Sequence, residues 1–171
     1  MAIASETILT GGCQCGAVRY RLHEIPTEPS ICHCRMCQKA FGSFFAPLAG
    51  VARDKFELTR GTLAIFHSSD PAERGFCRDC GTPLTFGDVD SPRIAIALGS
   101  LDQPEAVPPT YQCGIEGRLS WFAALPALRG TLTTEQDDPV MAAKIAASNH
   151  QHPDHDTDAW PPAGITRGSA S

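Results

Sequence analysis

Between residues 17 and 23 the side chains alternate, with Val18, Tyr20 and Leu22 on one side of an extended chain and Arg19, Arg21 and His23 on the other. A period of two marks a half-buried β-strand, because successive side chains of an extended backbone point to opposite faces. Apolar runs at 43–51, 63–67, 84–86 and 93–98 predict further short strands, separated by Gly, Pro and Asp. Residues 110–113, behind Pro108 and Pro109, add a candidate edge strand. No helical period is sustained before residue 135. A short helix is expected at 35–41, where Met36, Lys39 and Ala40 tolerate helical geometry and Gly42 can end it. A second is expected at 140–147, since Pro139 suits a first helical position behind Asp137 and Asp138. Residues 150–164 are rich in Pro, Asp and His and predict a segment that wraps the surface or hangs loose. The expected fold is therefore mainly β: one small domain over 1–130, then a C-terminal helix and irregular tail over 131–171, with no internal repeat.

A hydrophobic share of 42% over 171 residues is enough for a real core. The net charge of −5, with no run of Lys or Arg, argues against nucleic acid as a partner. No apolar stretch approaches the roughly 20 residues that span a bilayer, and residues 1–12 lack the pattern of a secretory signal. A cytoplasmic location is expected.

That location changes the reading of the eight cysteines. In a reducing compartment clustered cysteines serve metal binding or thiol chemistry rather than disulfides. Cys13 and Cys15 form C-x-C, Cys32, Cys34 and Cys37 form C-x-C-x-x-C, Cys77 and Cys80 form C-x-x-C, and Cys113 stands alone. Four thiolates close a tetrahedral structural zinc site, whereas three leave a position for water or substrate. Two partitions are possible. Cys13, Cys15, Cys77 and Cys80 can form the closed site and leave Cys32, Cys34 and Cys37 as the open one, or Cys34, Cys37, Cys77 and Cys80 can form a zinc ribbon. The first is preferred, because three ligands within six residues are hard to divide between two ions.

The segments GGCQCGAVRY (11–20), CHCRMCQKAFGSFFAP (32–47) and FCRDCGTPL (76–84), with a looser match at Pro109, Trp121 and Pro126, resemble the glutathione-dependent formaldehyde-activating enzyme family, which includes centromere protein V. The resemblance covers about the first 130 residues. It implies a small zinc-stapled fold of the β-tent kind, with a structural zinc on Cys13, Cys15, Cys77 and Cys80 and a catalytic zinc on Cys32, Cys34 and Cys37. It also implies carbon–sulfur lyase chemistry, the reversible joining of formaldehyde to a small thiol such as glutathione. Many members carry a His where this chain has Gln112, beside Cys113.

On that reading the open zinc holds the substrate thiolate or the hydroxymethyl oxygen and aligns sulfur with the carbonyl carbon. Arg35, Lys39 and Arg53 lie near the cluster in sequence and are candidates to receive carboxylates, with solvated surface as the bland alternative. His33, between two ligands, is expected to face outward from a loop, with proton transfer as its functional alternative. His67 reads as structural, and Cys113 as a small buried side chain. Ser43, Phe44 and Phe45 are expected beside the cluster. His150, His152 and His155, with Asp154 and Asp156, read as surface packing or adventitious metal binding. Gly75 and Gly81 read as turn residues. Two rival functions remain: a non-catalytic zinc module that binds another protein, and a thiol redox protein using Cys77 and Cys80.

Overall fold

The computed structural model describes residues 9–132 and 138–161, so parts of the expected tail, 133–137 and 162–171, lie outside the described residues. The strands are β1 (Leu9–Gly12), β2 (Arg19–Leu22), β3 (Thr27–Cys32), β4 (Ala46–Ala52), β5 (Phe56–Arg60), β6 (Ala64–His67), β7 (Ala72–Phe76), β8 (Pro83–Asp88), β9 (Arg93–Ala97) and β10 (Tyr111–Cys113). They form a three-stranded sheet ordered β1-β2-β5 and a seven-stranded sheet ordered β10-β3-β4-β9-β8-β7-β6. Pairing is antiparallel except at one edge, where β10 runs parallel to β3 and sets Cys113 opposite Cys32. The fold is mainly β, as expected from the period-two patterning.

The alternating segment forms β2, and its apolar face is fully in the core: Val18, Tyr20 and Leu22 pack with Val51, Leu84 and Ile96. The Tyr20 hydroxyl meets Ser100 Oγ at 2.8 Å, so the ring is buried without orphaning its polar end. Arg19 departs from the expected pattern. It is buried on the other face, held in a fork by Asp102 (Nη1–Oδ1 2.8 Å, Nη2–Oδ2 2.6 Å) and by Asp156 (2.8 Å). Those partners lie 83 and 137 positions away in sequence, and a local pattern does not register them.

Helix α1 (Arg35–Phe41) begins at Cys34, whose sulfur accepts from Cys37 N–H, and ends at Gly42 in the left-handed region (φ 58°). Helix α2 (Pro139–Ala147) starts on Asp138, whose carboxylate accepts from the amides of Val140 and Met141 at 2.8 and 2.9 Å. Beyond α2 the chain packs back on the loop between β1 and β2: His152 N–H donates to Gln14 O (2.7 Å), and Trp160 Nε1 donates to Cys15 O (2.6 Å). His152 is thus buried rather than on the surface, and Asp156 accepts from Arg19 and Arg21. Gly75 lies inside β7 rather than in a turn; a Cβ there would stand 2.3 Å from Thr85 Oγ1.

Candidate metal centres

Two loops, each tightened by its own backbone, carry the first cluster. After β1, Cys13 N–H donates to Val18 O (2.9 Å), and Val18 N–H donates to Cys13 Sγ (3.2 Å). Between β7 and β8, Cys77 N–H donates to Thr82 O (3.0 Å) and Gly81, with φ 76°, closes the turn through its N–H to Cys77 O (2.9 Å). Gln14 N–H donates to Thr82 Oγ1 (3.1 Å), which joins the two loops. As a result the sulfurs of Cys13, Cys15, Cys77 and Cys80 all lie within 4.8 Å of one another. The Cys13–Cys15 and Cys15–Cys77 separations are 3.6 and 3.8 Å. A tetrahedron with Zn–S of about 2.3 Å has edges of about 3.8 Å, so this donor set fits a zinc-sized ion. Cys13 (2% exposed) and Cys77 (1%) belong to the main core, which places the cluster between the N-terminal strands and the β7–β8 turn.

Together, burial and neighbouring groups shift two of the metal-free thiols in opposite directions. Burial pushes the Cys13 thiol well above its ordinary value, and its neighbours Cys77, Cys80 and Cys15 add to the rise. Cys80 is also penalised by burial, but the Thr82 hydroxyl and the amides of Thr82 and Cys15 outweigh that penalty and bring it down to about 6. Four sulfurs this close cannot all be anionic unless a cation holds them.

The second cluster is built by the passage from β3 into α1. Cys32 ends the strand, Cys34 caps the helix and Cys37 lies one turn along it, so the three sulfurs come within 4.8 Å of one another. Burial raises the Cys37 thiol, partly opposed by Arg74, whose Nη2 donates to Cys37 Sγ at 3.6 Å. Burial raises Cys34 too, but the Cys37 amide, Cys32 and the Cys37 thiol bring it net below its ordinary value. Three soft donors on one small arc fit a metal ion with a position to spare. Cys113 is not in the group; its sulfur points to Ile31 O at 3.8 Å. The alternative ribbon of Cys34, Cys37, Cys77 and Cys80 does not form.

The surroundings of the two clusters differ. The three-cysteine cluster opens on a cavity of about 480 Å³ walled by Leu48, Ala95, Phe86, Tyr111 and Arg74. The four-cysteine cluster adjoins a polar cleft of about 170 Å³ through Cys13 alone.

His33 does not face outward. It is 0% exposed, stacked edge-on against Phe122 with ring centroids 4.6 Å apart, and its Nε2 donates to Gln112 Oε1 (2.8 Å). Gln38 holds this loop from the other side, donating to His33 O (2.7 Å) and Gly117 O (2.8 Å). Gln112 is thus tied to the backbone segment that presents Cys32 and Cys34. Ser43 and Phe44 line a separate small cleft with Arg35, Lys39 and Leu119, and Phe45 packs against His33 and Phe122. Arg53 is spent on Ser91 O, Asp88 O and Glu73, so among the sequence candidates only Arg35 and Lys39 remain near the cluster. Arg74, which touches Cys37, carried no sequence signal.

The family described as glutathione-dependent formaldehyde-activating enzyme matches residues 8–116. A Halomonas elongata protein named "Putative glutathione-dependent formaldehyde-activating enzyme" is 28% identical over 126 residues, covering 67% of this chain and 79% of that protein. A crystal structure of a Rhodobacter sphaeroides protein, 21% identical, superposes with a TM-score of 0.49 over 60% of this chain and 98% of that one.

Proposed function

The chain belongs to the glutathione-dependent formaldehyde-activating enzyme family, and from that premise we propose that it is a zinc-dependent carbon–sulfur lyase that joins formaldehyde reversibly to a small thiol of the glutathione kind. The observation that carries this reading is the contrast between the two clusters. Of the four cysteines two lie in the core and two pack against it beside a narrow cleft, while three cysteines face a cavity with room for a substrate. Zinc is proposed for both, structural on Cys13, Cys15, Cys77 and Cys80, and catalytic on Cys32, Cys34 and Cys37. All eight cysteines are unpaired, which suits the reducing cytoplasm proposed as the location. No described helix is long and apolar enough to cross a membrane. The domain is proposed to span 1–130, with 131–171 as an appended helix and tail.

In the reaction the thiol gives up its proton, and its sulfur donates an electron pair to the carbonyl carbon of formaldehyde. A C–S bond forms, the C=O π pair moves to oxygen, and that oxygen takes up a proton to give the hydroxymethyl thioether; the reverse sequence is the lyase direction. Zinc bound by Cys32, Cys34 and Cys37 would supply a soft position and positive charge that ease thiol ionisation. The chain's own residues set the geometry. The Cys37 amide donates to Cys34 Sγ (3.4 Å) and Arg74 to Cys37 Sγ (3.6 Å), fixing two of the three donors. Leu48, Ala95 and Phe86 make an apolar wall on one side of the cavity, which lowers the local polarity beside the reacting sulfur and strengthens its electrostatic interactions. The His33–Gln112 and Gln38–His33 bonds hold the loop between donors rigid, so sulfur and carbon meet without reorganisation of the site.

The test is the rate of exchange between formaldehyde, glutathione and their adduct, followed by NMR with the purified chain and with Cys34→Ser. The parent should accelerate exchange and the variant should lose most of the effect. Equal rates with and without the parent chain would refute the proposal.

A further inference from the structure

The cavity at the three-cysteine cluster does not end there. Met36 and Arg74 form part of its wall and also part of the wall of a wider groove of about 720 Å³, so the two spaces adjoin. That volume lies within the roughly 300–1,000 Å³ typical of small-molecule sites. Phe41, Phe66, Phe76 and Pro83 give the groove an apolar floor, and Arg35, Lys39 and Arg74 line it without a single carboxylate among the lining residues. In a chain of net charge −5 this is a local concentration of positive charge.

Arg74 is the unusual member. It is only 8% exposed, and buried guanidinium groups are ordinarily paired with carboxylates. Its strand neighbour Glu73 cannot serve, because successive side chains of β7 point to opposite faces and Glu73 is taken by Arg53 at 3.1 Å. Among the described residues no carboxylate forms an ion pair with Arg74. Its Nη2 rests on Cys37 Sγ at 3.6 Å, its guanidinium lies 4.6 Å over the Phe86 ring, and its Nη1 is buried without a hydrogen-bond partner. An unmade buried donor is costly, and a ligand carboxylate that reaches it would complete it.

We infer that this groove recognises a carboxylate of the thiol substrate, with Arg74 as the buried anchor and Arg35 and Lys39 as attracting charges at its exposed edge. The inference rests on the thiol–aldehyde reading above and adds which thiols are accepted. Sulfur sits at Cys32, Cys34 and Cys37, the backbone of the thiol passes Met36, and a carboxylate several bonds away meets the orphaned Nη1. Small neutral thiols lack that handle and are discriminated against. The planar fork of an arginine matches a carboxylate in a way a lysine cannot. Exposed Arg35 and Lys39 act over a longer range, so their share of binding falls with salt.

The test uses the full chain and S-methylglutathione, whose blocked sulfur neither reacts nor competes for metal, against its diethyl ester, in which both carboxylates are masked. Calorimetric titration should show the diacid binding at least tenfold more tightly than the diester. Arg74→Met should abolish that preference by weakening the diacid alone, and Arg74→Lys should restore part of it. The exposed pair Arg35→Ala/Lys39→Ala should weaken the diacid about three- to tenfold and flatten its salt dependence. Equal binding of diacid and diester by the parent, absence of diacid binding, or undiminished binding by Arg74→Met overturns the inference. Should Arg74→Met fail to fold, undiminished and salt-insensitive binding by the exposed double variant overturns it instead. The underlying reaction is judged separately. A parent that binds the diacid through Arg74 yet leaves formaldehyde–glutathione exchange unaccelerated refutes the lyase reading and supports the groove. A parent that accelerates exchange equally for glutathione and glutathione diethyl ester supports the lyase reading and refutes the groove.

Discussion

Replacing one cysteine in each cluster by serine should separate stability from activity. Cys77 is 1% exposed within the main core, and its loop is joined to the β1–β2 loop through the Gln14–Thr82 hydrogen bond and the sulfurs themselves. Structural zinc sites in small domains contribute roughly 10–16 kcal/mol of binding energy that is also folding energy. Shared among four ligands, that is about 3 kcal/mol for each. In a chain of this size 1 kcal/mol moves the melting midpoint by about 2–4 °C, so Cys77→Ser should melt roughly 6–12 °C lower. Cys34 is different. It is half-buried beside a small satellite of the core, Cys37, Ala46 and Leu48, and its sulfur caps α1, a role for which serine is well suited. Cys34→Ser should therefore melt within about 3 °C of the parent while losing exchange activity. Differential scanning calorimetry with elemental analysis of the same samples checks both halves. Equal losses for the two variants, or a Cys77→Ser midpoint within about 2 °C of the parent, would refute the division into a stapling and a working cluster.

Two further outcomes follow from the packing. Burial raises the Asp102 carboxyl, but Arg19 and Thr10 outweigh it and leave it net below its ordinary value. A depressed folded pKa stabilises fully above the unfolded value of about 4 and is lost as pH falls through the folded one. Asp102→Asn should thus cost about 1.5–3 kcal/mol at pH 7, as losing a charge-assisted hydrogen bond does while Asp156 still pairs Arg19, and its melting deficit against the parent should shrink below about pH 4; a deficit constant from pH 7 to 3 contradicts this. Gly16 has φ +71°, and a Cβ there would stand 2.3 Å from His152 Cδ2 and 2.4 Å from Trp160 Cδ1, so Gly16→Ala should displace residues 151–160 and expose them to limited proteolysis, whereas an unchanged cleavage pattern would show that this packing is not needed to hold them.

The parts of this fold that the sequence revealed are those with local periodicity or local ligand spacing. Val18, Tyr20 and Leu22 announce β2 because their alternation is undisturbed, and α1 is announced by its Gly42 stop. The cysteine groups were legible because C-x-C and C-x-x-C limit how far sulfurs can separate. Strand β3 was not legible, since TEPSIC has a proline and an acid where alternation would place apolar residues. Strand β7, AERGF, reads as a charged loop because Arg74 is buried against Cys37, 37 positions away, a contact that local patterning does not register. The same reason hid Arg74 from the candidate site, and the Asp102–Arg19 link, 83 positions long, hid the burial of Arg19. His33 reads as outward in the sequence because its cover, Gln112 and Phe122, comes from the far end of the domain.

The central claim is that one cysteine cluster is closed and the other keeps a position for a thiol, and zinc K-edge absorption spectroscopy of the purified chain tests it most directly. The account predicts two zinc ions per chain with an average of about 3.5 sulfurs each at about 2.3 Å, rising to about 4 when glutathione is added. An average of about 4 sulfurs before any thiol is added, or a spectrum that glutathione leaves unchanged, would contradict it.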